Sequence, residues 1–164
     1  MELYLVQHGP AKSETEDPQR PLTEEGRRTV ERVAAFLAPL DLHIERIEHS
    51  GKLRARQTAE LLAQALRPAA GICEAAGLGP NDDAGIVAAR LAQETANLMV
   101  VGHLPHLSRL VSRLLGLAAD RPAVQFQMGG LVRLDRSDAG EWVIRWMLTP
   151  DLLAAVREPD KPLQ

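Results

Sequence analysis

The chain has 164 residues, a formal net charge of −3 and a hydrophobic content of 45%, so we expect one globular domain with a buried core. The mild acidity and the lack of a long basic run argue against nucleic acid as a partner, and no apolar run approaches the roughly 20 residues of a membrane-spanning helix. The single cysteine, Cys73, excludes an internal disulfide framework and a thiolate metal cluster. No basic and apolar leader is seen at the amino terminus, and we expect a cytoplasmic protein.

The first half of the chain predicts two units, each a strand followed by a helix. Glu2–Gln7 is a short apolar run typical of a strand. Thr23 is predicted to cap the amino terminus of a helix that ends at Pro39. The stretch 44–49 ("IERIEH") predicts the second strand, and 51–66 ("GKLRARQTAELLAQAL") predicts the second helix.

The second half predicts two more helices, one strand and a hairpin. A helix is expected over 86–93, followed by a strand over 98–101 whose continuous apolar run is typical of a central parallel strand. Apolar residues at helical spacing over 107–115 predict the next helix, with Pro105 in its first turn. The stretches "GGLVRLD" and "EWVIRWM" predict a terminal hairpin with its turn at 136–140; the tryptophans of the second stretch are spaced for one side of the strand, as core residues.

This order of elements predicts the α/β fold class. Alternation of strands and helices followed by a hairpin is typical of a single-domain, three-layer α/β sandwich, with a mainly parallel central sheet and helices on both faces. We expect the domain to span residues 1–157 and residues 158–164 ("EPDKPLQ") to form a frayed carboxyl-terminal tail.

Two histidines directly follow predicted strands. "LYLVQHGPA" ends its strand at His8, and "LMVVGHLPH" ends its strand at His103. The carboxyl ends of parallel strands form the edge at which open α/β sheets bind ligands, so the two imidazoles face each other if their strands are neighbours. Spacing alone is equally consistent with two unrelated turn histidines.

Arg54 shifts the balance toward an anion site. The stretch "HSGKLRARQTAELL" places Arg54 and Arg56 just after a third strand end, where a helix starts. Free backbone N–H groups and the helix dipole favour anions there, and a guanidinium matches the geometry of a phosphate. The sequence therefore predicts a phosphate site built from His8, His103 and Arg54, with Arg56 facing solvent.

Four motifs carry a family resemblance: "LYLVQHGPA", "RPLTEEG", "RIEHSGKLRARQTAELL" and "LMVVGHLPHLSRLV". With these motifs in order, the chain resembles the histidine phosphatase superfamily (phosphoglycerate mutase-like proteins) and, within it, the SixA-type phosphohistidine phosphatases. The resemblance covers nearly the whole chain. It implies an enzyme that removes phosphate from a phosphohistidine-bearing signalling protein and releases inorganic phosphate.

The resemblance also implies a role for each matching residue. His8 corresponds to the family's nucleophile, which becomes phosphorylated before water releases phosphate. Arg54, His103 and Arg20 correspond to contacts with phosphoryl oxygens. No metal or other cofactor is expected, because these groups would supply the positive charge. A two-histidine metal hydrolase is disfavoured, since no Asp or Glu lies at the usual ligand spacing and Arg54 would repel a cation.

Gln7 departs from the family motif, which has arginine at this position. An amide can still donate a hydrogen bond to a phosphoryl oxygen, but it lacks the charge of a guanidinium. Two hypotheses follow: a phosphatase whose activity is reduced, or a phosphate-binding pseudoenzyme that holds a phosphorylated partner. Gly51, where the family has proline, is a second departure that removes no chemistry.

A general acid is hard to identify in the sequence. Asp82 and Asp83, in the loop "AAGLGPNDDAG", are the candidates, but both fit the cap of the following helix better. A site without an acid favours a substrate with an easy leaving group. Phosphohistidine fits, because its imidazole can already carry a proton when it departs. The short chain has no insertion that would form a lid, so a side chain displayed on a protein could enter.

Overall fold

The computed structural model of the chain describes residues 1–118 and 121–155. The strands within these residues are β1 (Glu2–Gln7), β2 (Arg46–His49), β3 (Ile72–Glu74), β4 (Leu98–Gly102), β5 (Leu131–Arg136) and β6 (Trp142–Leu148). The helices are α1 (Glu24–Leu37), α2 (Leu53–Leu66), α3 (Ala84–Gln93), α4 (His106–Leu114) and α5 (Pro150–Ala155). In this part of the chain no helix is long and apolar enough to cross a membrane.

Helix α1 begins where the sequence predicts. The hydroxyl of Thr23 accepts a hydrogen bond from the N–H of Gly26 at 2.9 Å, and Glu24 and Glu25 occupy the first turn, where the helix dipole favours acids. The buried face then repeats at helical spacing through Val30, Val33, Ala34 and Leu37.

The strands form one sheet in the order β3-β2-β4-β1-β5-β6. Strands β1 to β4 run parallel, whereas β5 and β6 add an antiparallel hairpin beside β1. In the pairing of β1 with β4, Gln7 lies opposite Gly102. The two strands that precede His8 and His103 are therefore neighbours, and their carboxyl ends meet at one edge.

Helices cover both faces of the sheet. Tyr4 and Val6 of β1 point toward the layer of α1, α2 and α5, whereas Leu3 and Leu5 point toward α3 and α4. This alternation follows from the two-residue period of a strand. The predicted three-layer α/β sandwich with a mainly parallel sheet is confirmed.

The elements missed by the sequence prediction are short. Strand β3 has three residues, of which Cys73 and Glu74 are exposed, so it carries no apolar pattern. Helix α5 has six residues, which is too short for a periodic signal. The predicted tail, residues 158–164, lies outside the described residues.

The prediction that Trp142 and Trp146 share one side of their strand is wrong. The ladder between β5 and β6 shifts at Arg133/Leu134, and this bulge leaves Arg145 without a pairing partner. An extra residue reverses the side-chain alternation. Trp146 consequently packs near Tyr4, with ring centroids 6.1 Å apart, whereas Trp142 packs against the opposite core.

Candidate active site

Two imidazoles face each other at the carboxyl edge of the sheet. The ring centroids of His8 and His103 are 4.9 Å apart and their planes are inclined by 54°. The two residues are 9% and 2% exposed. Their juxtaposition follows from the parallel pairing of β1 with β4, which continues as a hydrogen bond from the His8 N–H to the Gly102 carbonyl at 3.2 Å.

The hydrogen bonds of His8 define its tautomer. Nδ1 lies 2.7 Å from the carbonyl oxygen of Gly9, which can only accept, so Nδ1 carries the proton. Nε2 then has a lone pair, which accepts a hydrogen bond from Nε–H of Arg54 at 3.2 Å. The neutral imidazole thus presents an unprotonated Nε2 to a guanidinium.

Arg54 is held by the first turn of α2. The hydroxyl of Thr58 donates to the Arg54 carbonyl at 2.8 Å and accepts from the N–H of Gly9 at 3.1 Å, which ties this turn to the segment after His8. Arg54 is 9% exposed, and no carboxylate of residues 1–118 or 121–155 forms an ion pair with it. Its positive charge is therefore available to an anion.

His103 has one partnered and one unpartnered ring nitrogen. Nε2 lies 2.5 Å from the hydroxyl oxygen of Ser50. Nδ1 is buried and has no hydrogen-bond partner in the described part of the chain. Ser50 follows β2, so three adjacent parallel strands, β1, β4 and β2, each contribute a side chain to the same edge.

Burial and neighbouring cations set the electrostatics of the site. Burial is the main cause that lowers the pKa of His8 to about 4. The hydrogen bond with the Gly9 carbonyl raises this pKa, and the charges of Arg54 and Arg20 lower it. Burial likewise lowers the pKa of His103 to about 3, again with help from neighbouring cations. Burial and the charge of Arg20 lower the pKa of Arg54. Both imidazoles are neutral at pH 7, and the cluster favours a negatively charged ligand.

Gln7 has a fixed backbone and a free amide. Its N–H donates to the carbonyl of Gly130 at 3.1 Å, and its carbonyl accepts from the N–H of Gly129 at 2.9 Å. Gln7 is 8% exposed, yet Oε1 is buried with no partner among the described residues. The side chain lines a cavity of about 580 Å³ together with Leu104 and Phe126, and neither His8 nor His103 is among the residues that line it.

The other two arginines singled out by the sequence occupy different settings. Arg20 is half-buried on the loop before α1, where its Nε–H donates to the carbonyl of Lys12 at 3.2 Å, and its charge reaches His8. Arg56 is exposed and pairs with Glu60 at 2.9 Å, as predicted for a solvent-facing side chain.

Comparison with known proteins identifies the family. The model of the histidine phosphatase superfamily (branch 1) matches residues 3–76. An uncharacterised protein of Picosynechococcus sp. is 44% identical over 115 residues, which are 65% of this chain and 68% of that protein. Phosphohistidine phosphatase SixA of Escherichia coli (strain K12) is 28% identical over 155 residues, 92% of this chain and 94% of that protein.

A solved structure of the protein histidine phosphatase SixA complexed with tungstate superposes with a TM-score of 0.83 at 27% identity, covering 93% of this chain and 99% of that one. The chain belongs to the histidine phosphatase superfamily. The superposition covers almost the whole chain, and the resemblance inferred from the sequence is confirmed.

Neither candidate acid, Asp82 or Asp83, contacts the two imidazoles. Asp83 is the cap of α3 and accepts from the N–H of Gly85 at 2.7 Å. Asp82 closes the preceding turn by accepting from the N–H of Gly79, also at 2.7 Å. Both carboxylates are exposed. The capping role expected for Asp83 is confirmed, whereas Asp82 stabilises a turn.

Two residues that contact the candidate site were missed by the sequence reasoning. Ser50 contacts His103, and Thr58 joins Gly9 to the start of α2. The available signal was position, since Ser50 directly follows a strand end and Thr58 lies one helical turn after Arg54. His106, at the start of α4, is also fully buried.

The described residues at this edge lack a set of metal-binding side chains. Among residues 1–118 and 121–155, no three or more His, Cys, Asp or Glu side chains lie close enough together to hold a metal ion. The cationic Arg54 beside His8 opposes a metal at that nitrogen.

Proposed function

We propose that the chain is a phosphohistidine phosphatase that removes phosphate from a phosphorylated histidine of a cytoplasmic signalling protein through a covalent phospho-His8 intermediate. The observation that carries this proposal is the geometry of His8, whose Nδ1–H is bound by the Gly9 carbonyl while Nε2 faces the Arg54 guanidinium. A nucleophilic imidazole must be neutral with a lone pair available.

In the first step, Nε2 of His8 attacks the phosphorus atom of the substrate. The new Nε2–P bond forms as the P–N bond to the substrate imidazole breaks, and that electron pair remains on the departing ring nitrogen. When the other nitrogen of the departing ring is protonated, the product is a neutral imidazole. The Nε–H of Arg54 exchanges its bond with Nε2 for one with a phosphoryl oxygen.

In the second step, water attacks the phosphorus atom of phospho-His8. The Nε2–P bond breaks with its electron pair on Nε2, and inorganic phosphate is released as H2PO4⁻ with both protons of the water. Phospho-His8 keeps its proton on Nδ1, so the intermediate ring is cationic and leaves as neutral imidazole. The Gly9 carbonyl stabilises that cation, since it accepts the Nδ1–H bond at 2.7 Å.

Positive and polar groups hold the phosphoryl oxygens in this proposal. Arg54 and Arg20 supply charge, His103 donates from Nε2, and the amide of Gln7 donates one further hydrogen bond. Phosphoryl transfer depends mainly on such positioning and charge stabilisation. His103 acts as a neutral donor at pH 7, because burial lowers its pKa to about 3.

Two features favour phosphohistidine as the substrate class. Asp82 and Asp83 are engaged in a turn and a helix cap, so an alkyl phosphate would lack a proton donor for its leaving oxygen. The SixA relative is named a phosphohistidine phosphatase, and a SixA structure holds tungstate, a tetrahedral oxyanion like phosphate. Both suit a phosphoprotein substrate.

The second candidate function is a phosphate-binding pseudoenzyme. Gln7 favours it, because the family motif has a charged arginine where this chain has a neutral amide. The binding groups His8, Arg54 and His103 would still hold a phosphorylated partner without turnover.

A single-turnover labelling experiment tests the proposal. The protein is mixed with a ³²P-phosphohistidine protein or with phosphoramidate, and we expect a phosphoenzyme that is acid-labile and base-stable. His8→Ala should abolish the label, whereas His43→Ala, at an exposed loop position, should retain it. Steady-state kcat/KM for a phosphohistidine substrate should exceed that for a sugar phosphate.

Each hypothesis has its own signature in this experiment. Label that persists in His8→Ala would place the nucleophile elsewhere. Tight binding of the phosphoprotein without label or released phosphate would establish the pseudoenzyme. Equal kcat/KM for a sugar phosphate would reveal a general acid, with Asp82→Asn and Asp83→Asn tested first.

A further inference from the structure

One side of the sheet ends in a strand with an open edge. Strand β6 is the last in the sheet order, and among residues 1–118 and 121–155 it pairs only with β5. Two apolar side chains near its start are exposed, Val143 by 51% and Ile144 by 38%. An open edge with apolar side chains is a surface on which a further strand can pair. Neither the superfamily motifs nor the proposed chemistry uses this strand.

The hydrogen bonds of β5 show which backbone groups of β6 point outward. The N–H of Arg136 donates to the carbonyl of Met1 at 2.9 Å, and its carbonyl accepts from the Met1 ammonium at 3.3 Å, so both groups face away from β6. Trp142 lies opposite Arg136, and its N–H and carbonyl therefore point to the open edge. Since hydrogen-bonded and non-hydrogen-bonded pairs alternate along an antiparallel ladder, the backbone groups of Ile144 point outward too.

These outward groups match an antiparallel copy of the same strand, centred on Val143. In that register Trp142 lies opposite Ile144 of the second copy, and the pair exchanges two hydrogen bonds. The two-fold axis repeats this pair. Val143 lies opposite its own copy, and Glu141 lies opposite Arg145 of the second copy.

The side chains match in this register as well as the backbone. Arg145 forms an ion pair with Asp135 at 3.1 Å, and Asp135 is the cross-strand partner of Val143, so Arg145 and Val143 share one face of the sheet. Glu141, two residues before Val143, belongs to the same face. Its carboxylate is exposed, and the Arg145 side chain is 60% exposed. Opposite charges and β-branched residues directly across two strands stabilise their pairing, whereas a register centred on Ile144 would place Arg145 opposite Val143.

We propose that β6 is a self-association edge: two copies of the chain pair their β6 strands antiparallel about a two-fold axis at Val143, with Glu141 and Arg145 in reciprocal ion pairs. The bulge beside Arg145 ends the regular ladder and confines the pairing to residues 141–145. The dimer is therefore of the weak class, with an interface below about 1,200 Å². The axis is normal to the sheet and turns the carboxyl edges of the two copies in opposite directions, so both candidate active sites stay open.

Sedimentation velocity over a concentration series tests the proposal. Between about 10 μM and about 1 mM, we expect the wild type to change from monomer toward dimer, with a Kd on the order of 10⁻⁴ M. Glu141→Arg and Arg145→Glu should each weaken association about tenfold, because each places like charges opposite one another twice. The double variant exchanges the two charges and should restore the wild-type Kd.

Two lysine variants separate this edge from other apolar surfaces. Val143→Lys should abolish the dimer, since two ammonium groups would meet at the axis. Ile86→Lys, at a position of α3 that is 67% exposed, should match the wild type. Circular dichroism on every variant shows whether the fold is kept.

The outcomes are distinct from those that test the proposed function. A wild type that stays monomeric up to about 1 mM would overturn the self-association, as would a dimer that persists in Val143→Lys. A charge-exchanged double variant that stays monomeric would overturn the register. The value of kcat/KM should be the same in monomer and dimer, and a protein without phosphatase activity that still dimerises as described would refute only the proposed function.

Discussion

Two buried polar clusters lie on the same sheet and differ in how their groups are satisfied. In the Glu48 cluster (Arg46, Glu48, Arg90 and Glu94), the Glu48 carboxylate is 2% exposed but accepts two hydrogen bonds from Arg90 at 2.9 and 2.6 Å. Arg46 adds a bond to Glu48 at 3.0 Å. Every charge in this cluster has an opposite charge in contact.

The cluster at the candidate active site (His8, Ser50, Arg54 and His103) is arranged in the opposite way. Its charged neighbours are cations, and Arg54 has no carboxylate partner within residues 1–118 and 121–155. All buried side-chain nitrogen and oxygen atoms without a hydrogen-bond partner in the described chain belong to Gln7, His103 and His106, within or beside this cluster. The charges of the Glu48 cluster neutralise one another, whereas the charge of Arg54 has no opposite charge in contact among the described residues.

The largest expected effect comes from exchanging one charge in each cluster. Arg54→Gln should reduce kcat for phosphohistidine about 10²–10³-fold, the usual loss for one donor to a developing phosphoryl charge, without lowering stability, because it removes an unpaired buried charge. Glu48→Gln should leave kcat near the wild type but lower the free energy of unfolding by about 1–3 kcal/mol, a loss limited by the partial exposure of Arg90.

Urea unfolding and steady-state kinetics on both variants check this contrast. If Arg54→Gln lost stability and kept activity, the assignment of the two clusters would be reversed.

A smaller effect on kcat/KM is expected at Gln7, where the family motif has a charged arginine and this chain has a neutral amide. Gln7→Arg should raise kcat/KM about tenfold or more, since a charged hydrogen bond is worth ~1.5–3 kcal/mol, and vanadate affinity should rise with it. The cavity of about 580 Å³ beside Gln7 offers room for the longer side chain. Tighter vanadate binding without turnover would favour the pseudoenzyme, and no change in either would mean that Gln7 does not face the phosphoryl group.

Some features of the fold and of the candidate site could be predicted from the sequence, and others could not. Apolar runs identified β1 and β4, and residue order placed His8, Arg54 and His103 after strand ends. The meeting of these three side chains at one edge of the sheet was therefore predictable if the strands were neighbours. The orientation of a side chain depends on packing between segments far apart in the chain. Three features therefore required the structure: the hydrogen bond between Ser50 and His103, the bulge beside Arg145 and the cavity that the Gln7 side chain lines.

The value of kcat/KM should stay nearly constant until the pH approaches the lowered pKa of His8. Burial lowers the pKa of His8 to about 4, and a nucleophile is lost when protonated, so kcat/KM should fall less than about twofold between pH 7 and 5. An ordinary pKa near 6.5 would give about a 30-fold fall. Imidazole NMR titration gives the pKa directly, and Arg54→Gln should raise it. A titration of His8 near pH 6.5 would contradict the neutral, cation-flanked imidazole.

The smallest effect concerns His106, an unsatisfied group with no assigned chemistry. Its ring is fully buried and neither nitrogen has a partner within the described residues, since the nearby Gly77 carbonyl does not complete a hydrogen bond. His106→Leu has similar size and removes both unsatisfied atoms, so the free energy of unfolding should rise by about 1 kcal/mol at pH 7.

The stability gained in His106→Leu should depend on pH. Burial lowers the pKa of His106, so below about pH 6.5 the imidazole binds a proton in the unfolded chain but not in the folded chain. The gain should therefore grow at pH 5. Urea unfolding at both pH values measures it, with the exposed His43→Gln as control. A loss of stability in His106→Leu would show that the imidazole makes a contact in solution that offsets its burial.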